Sequence, residues 1–214
     1  VLQWLSRVSK MWTDWYWVRH GAPLQDPGRY AGRLDLPMVP PDAAIARRMT
    51  AHLPKGAVWL TSPLARARQT VQALDPSANA VSVEDLTDQD LGSWAGRRQT
   101  EVHKANPQVD WSAPASIVPE GGESFDAVVT RVAGFMVRMT QHYPDRPLVV
   151  VSHLALIRAA LVLALDLPNE SGFQFEVSPF SLTRLSWTGP EDLTGGSDER
   201  IGSWRVHTAN RAVG

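Results

Sequence analysis

Cysteine is absent from all 214 residues. That removes disulfide frameworks, thiolate metal sites and cysteine nucleophiles together, and it leaves either redox compartment open. No apolar run reaches the ~20 residues that span a bilayer; the longest, around residues 154–165, is interrupted by Arg158. No membrane association is expected. Excess charge is missing too. The 21 Lys+Arg against 22 Asp+Glu leave a formal charge of -1, too little for a basic field that grips nucleic acid or an anionic membrane. Any anion site must be local, and the expected partner is a small anion. Internal repeats and low-complexity linkers are lacking, and a chain with 43% hydrophobic and 20% charged residues is neither disordered nor a coiled coil. A single domain over residues 13–214 is expected, as a monomer or homodimer. Residues 1–12 show neither the continuous apolar stretch nor the small-residue cleavage site of a signal peptide. They read as a short amphipathic helix or an extension, or as an appended remnant or residues upstream of a start at Met11.

What is present is an alternation of short apolar runs with helix-period segments, which favours an α/β fold. Trp15-Tyr16-Trp17-Val18, Ala57-Val58-Trp59-Leu60-Thr61 and Pro147-Leu148-Val149-Val150-Val151-Ser152 read as buried strands. Further strand-like runs lie near 173–177, 181–187 and 201–207. Asp42 is placed to cap a helix bearing Ile45, Met49 and Leu53, and Ser62 with Pro63 to start a second one. The clearest helical period follows Ser124, where Phe125, Val128, Val129, Val132, Phe135, Met136 and Met139 share a face. Residues 86–96 and 106–122 read as long loops, a length that usually carries function.

Two histidines close predicted buried strands, His20 after Val18-Arg19 and His153 after Val151-Ser152. In open α/β sheets ligands bind beyond the carboxyl ends of the strands, so both imidazoles enter one crevice if those strands are neighbours. Gly21 would let the backbone turn sharply or approach a ligand closely. Arg66 falls near the start of the helix after Ser62-Pro63. There the helix N-terminus and a planar guanidinium make an anion cradle; solvated surface charge is the plain alternative for Arg66 and Arg68. Nine tryptophans are many for this length, and Trp94 and Trp111 fall in the long loops. These two could stack on an aromatic leaving group, while most of the others pack the core. His52, His103, His142 and His207 have no metal-like spacing and read as surface or locally bonded residues.

Four blocks occur in the order of the histidine phosphatase superfamily. They are Val18-Arg19-His20-Gly21, Ser62-Pro63-Leu64-Ala65-Arg66-Ala67-Arg68-Gln69-Thr70, Pro119-Glu120-Gly121-Gly122-Glu123-Ser124 and Val150-Val151-Ser152-His153. The chain resembles the phosphoglycerate-mutase-like branch over about residues 14–187. Arg19-His20-Gly21-Ala22-Pro23 followed by Tyr30-Ala31-Gly32-Arg33-Leu34-Asp35-Leu36-Pro37 looks most like the α-ribazole phosphatase subgroup. The resemblance implies a three-layer α/β/α sandwich around a mostly parallel sheet, and a cytoplasmic phosphomonoesterase that needs no metal or other cofactor. His20 would be the nucleophile, forming a phosphohistidine, with Arg19, Arg66 and His153 holding the phosphoryl oxygens.

The family takes its general acid from a glutamate four residues before the first glycine of a Gly-x-Trp-x-Gly loop. Here Gly92-Ser93-Trp94-Ala95-Gly96 puts Asp88 there, about 1.5 Å shorter by one methylene, with Asp90 and Glu84 as fallbacks. Tyr30, Arg33 and Asp35 would contact the leaving group or serve as turn and surface residues. The block around Glu123 and Ser124 reads as a helix cap. Pro40-Pro41-Asp42 and Leu154 stand where the family usually has glycine, which loosens the subgroup assignment. Mutases of the family carry a longer insertion before the second histidine; Asp88 and His153 are 65 positions apart, which favours hydrolysis over a mutase. A non-catalytic phosphate-binding protein on the same fold is the remaining alternative.

Overall fold

Bulky apolar residues at alternate positions give the first strand two distinct faces. The computed structural model describes residues 12–189 and 203–212. In β1 (Trp12–Arg19), Trp15 and Trp17 are fully buried and stack at 5.8 Å. Both meet the edge of Phe135 at 5.8 and 6.1 Å. The strand pairs in parallel with β4 (Leu148–Ser152), placing Arg19 opposite Ser152. All five β4 residues are buried, as a continuous apolar run requires. Leu148 and Val150 join the core beneath α4 (Phe125–His142) and α5 (Leu154–Leu165). Val149 and Val151 join the core beneath α1 (Ala43–Thr50) and α2 (Ala65–Leu74). Each such side chain contributes about 1.5–3 kcal/mol by leaving water.

Three layers result. With β2 (Val58–Thr61), β3 (Val81–Ser82), β5 (Leu182–Thr188) and β6 (Ser203–Arg211), the strand order is β3-β2-β4-β1-β5-β6. The first four strands run parallel, and β5 and β6 add antiparallel pairs. This is the expected mostly parallel sheet between helices. A fifth helix, α3 (Gln99–Ala105), lies between the two long loops. Its seven residues are too few to show a sequence period. Among the described residues no helix is long and apolar enough to cross a membrane.

The caps are local chemistry. Asp42 Oδ1 accepts from Ala44 N at 2.6 Å, and Ser124 Oγ from Ala127 N at 3.1 Å, as their positions predict. The start of α2 differs from expectation. Ser62 Oγ accepts from Leu64 N at 3.2 Å, but the helix opens at Ala65, whose N–H is taken by Asp35 Oδ1 at 2.5 Å. Asp35 therefore holds a helix end and is not placed as a leaving-group contact.

The strand expected over 173–177 is not formed. A 3-10 segment, Asn169–Gln174, occupies its first part. Two guanidiniums then take the carbonyls that a neighbouring strand would pair: Arg158 Nε donates to Phe175 O at 2.9 Å, and Arg19 Nη1 donates to Val177 O. Of the predicted run at 201–207, residues 201 and 202 lie outside the described residues; the rest belongs to β6. Residues 1–11 likewise lie outside them, whereas Trp12 opens β1 rather than closing an extension.

Candidate active site

Parallel pairing of β1 with β4 brings the two strand-end histidines together. His20 N donates to Ser152 O at 2.9 Å, and the His20 and His153 rings lie 4.8 Å apart between centroids. His20 Nδ1 donates to Gly21 O at 2.6 Å, which leaves the lone pair on Nε2. Arg66 Nε points at that atom, donating at 3.2 Å. His153 is set from the other side. Ser62 Oγ is hydrogen-bonded to His153 Nε2 at 2.8 Å, and the Asp88 carboxylate beside Nδ1 favours the tautomer with its proton on Nδ1 and the hydroxyl as donor to Nε2. Nδ1 has no hydrogen-bond partner among the described residues and lies 3.5 Å from Asp88 Oδ2.

Both imidazoles are held neutral. Burial pushes each well below the usual histidine value; His153 and Arg66 push His20 further, as Arg66, Arg19 and Arg131 push His153. An unfolded chain protonates histidine near pH 6.5, so below that pH the unfolded state binds more protons and stability falls as pH falls. Thermal unfolding between pH 7.5 and 5.5 at constant ionic strength is expected to show a declining Tm. A Tm that stays level across that window would contradict a neutral pair.

Arg66 is fully buried and nearly spent. Its Nη1 donates to Leu34 O at 2.7 Å and its Nη2 to Gly32 O at 2.7 Å and Asp88 Oδ2 at 2.9 Å. Arg19 is the freer cation. Its Nη1 donates to Val177 O, its buried Nε has no hydrogen-bond partner among the described residues, and burial lowers its pKa. A buried donor left unpaired costs about 1–3 kcal/mol. Arg19 Nε and His153 Nδ1 are two such donors beside one nucleophilic nitrogen, an arrangement that an anion's oxygens complete. His20, Asp88 and His153 offer donor atoms within 4.8 Å of one another, a spacing that would also suit a metal. The Arg66 guanidinium, bonded to both His20 and Asp88, already supplies the cation there, so the set favours an anion.

Asp88 is the carboxylate that reaches the histidines. The two fallbacks turn away: Asp90 Oδ1 accepts from Gly92 N at 3.0 Å, and Glu84 lies beside the Thr87 hydroxyl. The loop carrying Asp88 is locked to the Gly-Gly-Glu block, with Ser93 N bonded to Glu120 O and Glu123 N to Asp90 O, each at 2.9 Å. Glu123 Oε1 accepts from Asp90 N, Arg33 Nη2 and Arg131 Nη2 at 2.8–3.0 Å. It thus clamps the loop, beyond the helix-end role expected of it. A Cβ on Gly92, whose φ is +46°, would sit 2.1 Å from Glu120 O. Gly92→Ala is expected to cost at least about 3 kcal/mol through strain and overlap. In a domain of this size that lowers Tm by roughly 6–12 °C, readable by calorimetry.

Arg19, His20 and Asp88 line a cavity of about 480 Å³; Arg66 and His153 are fully buried and do not line it, though both contact lining residues, Arg66 through His20 and Asp88 and His153 through Asp88. Tyr30 also lines it. Gly21 and Arg33 do not. Gly21 packs where a Cβ would lie 2.8 Å from Met38 Sδ and Phe180 Cε2, and its N–H goes to Thr70 Oγ1. Its glycine is needed for packing, not for a ligand. Arg33 is 44% exposed and paired with Glu123 and Asp90, outside the cavity. Sequence reasoning missed Gln25, Arg29, Arg158 and Phe173 as lining residues, and it treated His103 as a surface group. The available signal for Arg158 was a lone charge four residues after Leu154 on an otherwise apolar helix, which puts both on one face.

A mostly parallel α/β sheet, with a histidine at the end of each central strand and the Arg19 and Arg66 guanidiniums beside them, defines a protein with a local anion site. The chain belongs to the histidine phosphatase superfamily, branch 1, whose family model matches residues 15–193. It is 31% identical over 168 residues to glucosyl-3-phosphoglycerate phosphatase of Mycolicibacterium vanbaalenii, covering 72% of this chain and 75% of that protein. It is 37% identical over 114 residues to the bifunctional protein Rv2228c of Mycobacterium tuberculosis, where the match covers 51% of this chain and 31% of that protein. The chain therefore spans under a third of that longer relative. The structure of mycobacterial hydrolase 2 superposes with a TM-score of 0.79 at 25% identity, covering 94% of this chain and 92% of the other. More distant relatives carry the names phosphoserine phosphatase 1 and adenosylcobalamin/alpha-ribazole phosphatase.

Proposed function

We propose that this chain is a metal-independent phosphomonoesterase that works through a phosphohistidine on a small phosphorylated metabolite. The observation that carries the reading is His20 itself. Its Nδ1–H is fixed on Gly21 O, so Nε2 presents a lone pair at the cavity end where Arg19 Nε and His153 Nδ1–H stand unpaired. In the first step Arg66 Nε turns its N–H from Nε2 to a phosphoryl oxygen, Nε2 attacks phosphorus and the ester P–O bond breaks, while Asp88 in its protonated form gives its proton to the leaving oxygen. Arg19, Arg66 and His153 hold the three equatorial oxygens, whose charge develops without solvent reorganisation. In the second step Asp88, now a carboxylate, takes a proton from water as that water attacks the phosphohistidine. Inorganic phosphate leaves, and His20 returns neutral.

Relatives named for glucosyl-3-phosphoglycerate, phosphoserine and α-ribazole share this family, so α-ribazole 5′-phosphate is one candidate among several. A cytoplasmic location belongs to the same reading. The test is turnover of a panel of phosphate esters with chelator present. It should include α-ribazole 5′-phosphate, phosphoserine, phosphoglycerates, nucleoside monophosphates and 4-nitrophenyl phosphate. Release of phosphate from at least one alkyl ester at an undiminished rate with chelator is expected. Binding of these esters without turnover would instead support a phosphate-binding protein.

A further inference from the structure

Beyond the histidines the cavity has a continuous aromatic wall. Tyr30 and Trp94 stack with centroids 6.1 Å apart, Trp94 and Trp111 lie at 5.5 Å, and Trp111 and His103 stack at 3.9 Å. Tyr30 Oη and His103 Nε2, 3.4 Å apart, close the series. All four rings line the cavity, and burial raises the Tyr30 pKa. The remaining lining includes Ile117, Phe125, Leu154 and Phe173. This is far more apolar surface than a phosphoryl group needs.

Part of the polar lining near this wall is already engaged within the protein. Gln25 Nε2 donates to Arg29 O and Gln89 Nε2 to Glu123 O. The Arg29 guanidinium is held by Gly96 O and Asp26. A polyol desolvated there gives up more hydrogen bonds to water than a flat ring does, and the ring gains contact with aromatic edges and faces.

We infer that Tyr30, Trp94, Trp111 and His103 form a subsite for a planar aromatic or heteroaromatic ring carried by the alcohol half of the ester. The subsite rests on the phosphomonoesterase reading and narrows it to ring-bearing phosphates, with Trp111 and His103 as the residues that set specificity. Trp111 and His103 touch neither the nucleophile nor the acid. Their loss therefore changes selection and leaves the chemical step intact.

The experiment compares adenosine and thymidine 5′-monophosphates with ribose 5-phosphate, whose reacting 5′ ester is the same and whose ring is missing. A preference in kcat/KM of about 30-fold for a ring-bearing member is expected, within the range that stacking on aromatic side chains provides. Trp111→Leu and His103→Leu are each expected to shrink that preference to a few-fold while ribose 5-phosphate turns over as before. A merely structural role would lower both substrates together, and that outcome overturns the inference. So does equal turnover of ring-bearing and ring-free esters, or a preference for ribose or glucose phosphates. If no ester is hydrolysed, the phosphatase reading fails on its own. Equilibrium binding of the same compounds, followed by tryptophan fluorescence, then decides the subsite: tighter binding of the ring-bearing members supports it, and equal binding refutes it.

Discussion

Replacing His20 with alanine is expected to lower kcat/KM by about 10⁴, or about 5.4 kcal/mol at ~1.36 kcal/mol per tenfold. The expectation follows from the nitrogen's isolation. Among the described residues His153 is the nearest ring, and its Nε2 is occupied by Ser62 while its Nδ1 carries the proton. No second lone pair is therefore poised at the cavity end. The variant keeps Arg19, Arg66 and Asp88, so it should still bind phosphate. Rapid quench of the parent with labelled ester should trap up to one phosphoryl group per chain, in a linkage that survives alkali and is lost in acid, as a phosphorus–nitrogen bond is. A His20→Ala variant that turns over as fast as the parent would sink the mechanism.

The second large effect belongs to Asp88, and it depends on the ester. Asp88→Asn keeps an oxygen for Arg66 Nη2, now 2.9 Å away, but has no proton to give and cannot accept one from water. For alkyl phosphates, whose leaving oxygen needs that proton, turnover is expected to fall by about 10²–10³. For 4-nitrophenyl phosphate the first step should be nearly unchanged, because its leaving group departs as the anion. A burst of nitrophenol close to one per chain, followed by slow turnover, is the expected signature in stopped flow. If the burst rate falls as far as alkyl turnover does, Asp88 merely holds Arg66 in place.

Much of this site was legible because its chemistry sits where strands end. The Val18-Arg19-His20 and Val151-Ser152-His153 runs announce buried strands by composition, and parallel pairing of those strands is enough to bring the imidazoles together. Asp88 was legible only through the family resemblance, which puts the acid four residues before Gly92, the glycine whose loop crosses against Glu120. Arg33 and Asp35 were not. They stand in a segment without periodicity, where nothing in the sequence distinguishes a ligand contact from a clamp on Glu123 or a cap on Ala65. The apolar alternation at 173–177 misled for another reason. Arg19 and Arg158 satisfy the backbone there from afar, 158 and 17 positions away in sequence. Of the cavity wall, Tyr30, Trp94 and Trp111 were legible, whereas Arg158, Phe173 and His103 escaped: α3 and α5 contribute only two and three lining residues, and His103 is exposed on its own helix.

The complete burial of β4 also bears on how this molecule opens and how it can change. Amides of a strand covered on both faces exchange with solvent only when the whole domain unfolds, whereas short helices and loops exchange through local opening. The two histidines hang from β4 and its neighbour β1, while Trp111 and His103 hang from the segment between the acid loop and α4. Substitutions in that segment are paid for by a local element with its own small opening energy. The proposed reaction is thus anchored to a strand buried on both faces, and the proposed ring contacts to a short helix and a loop.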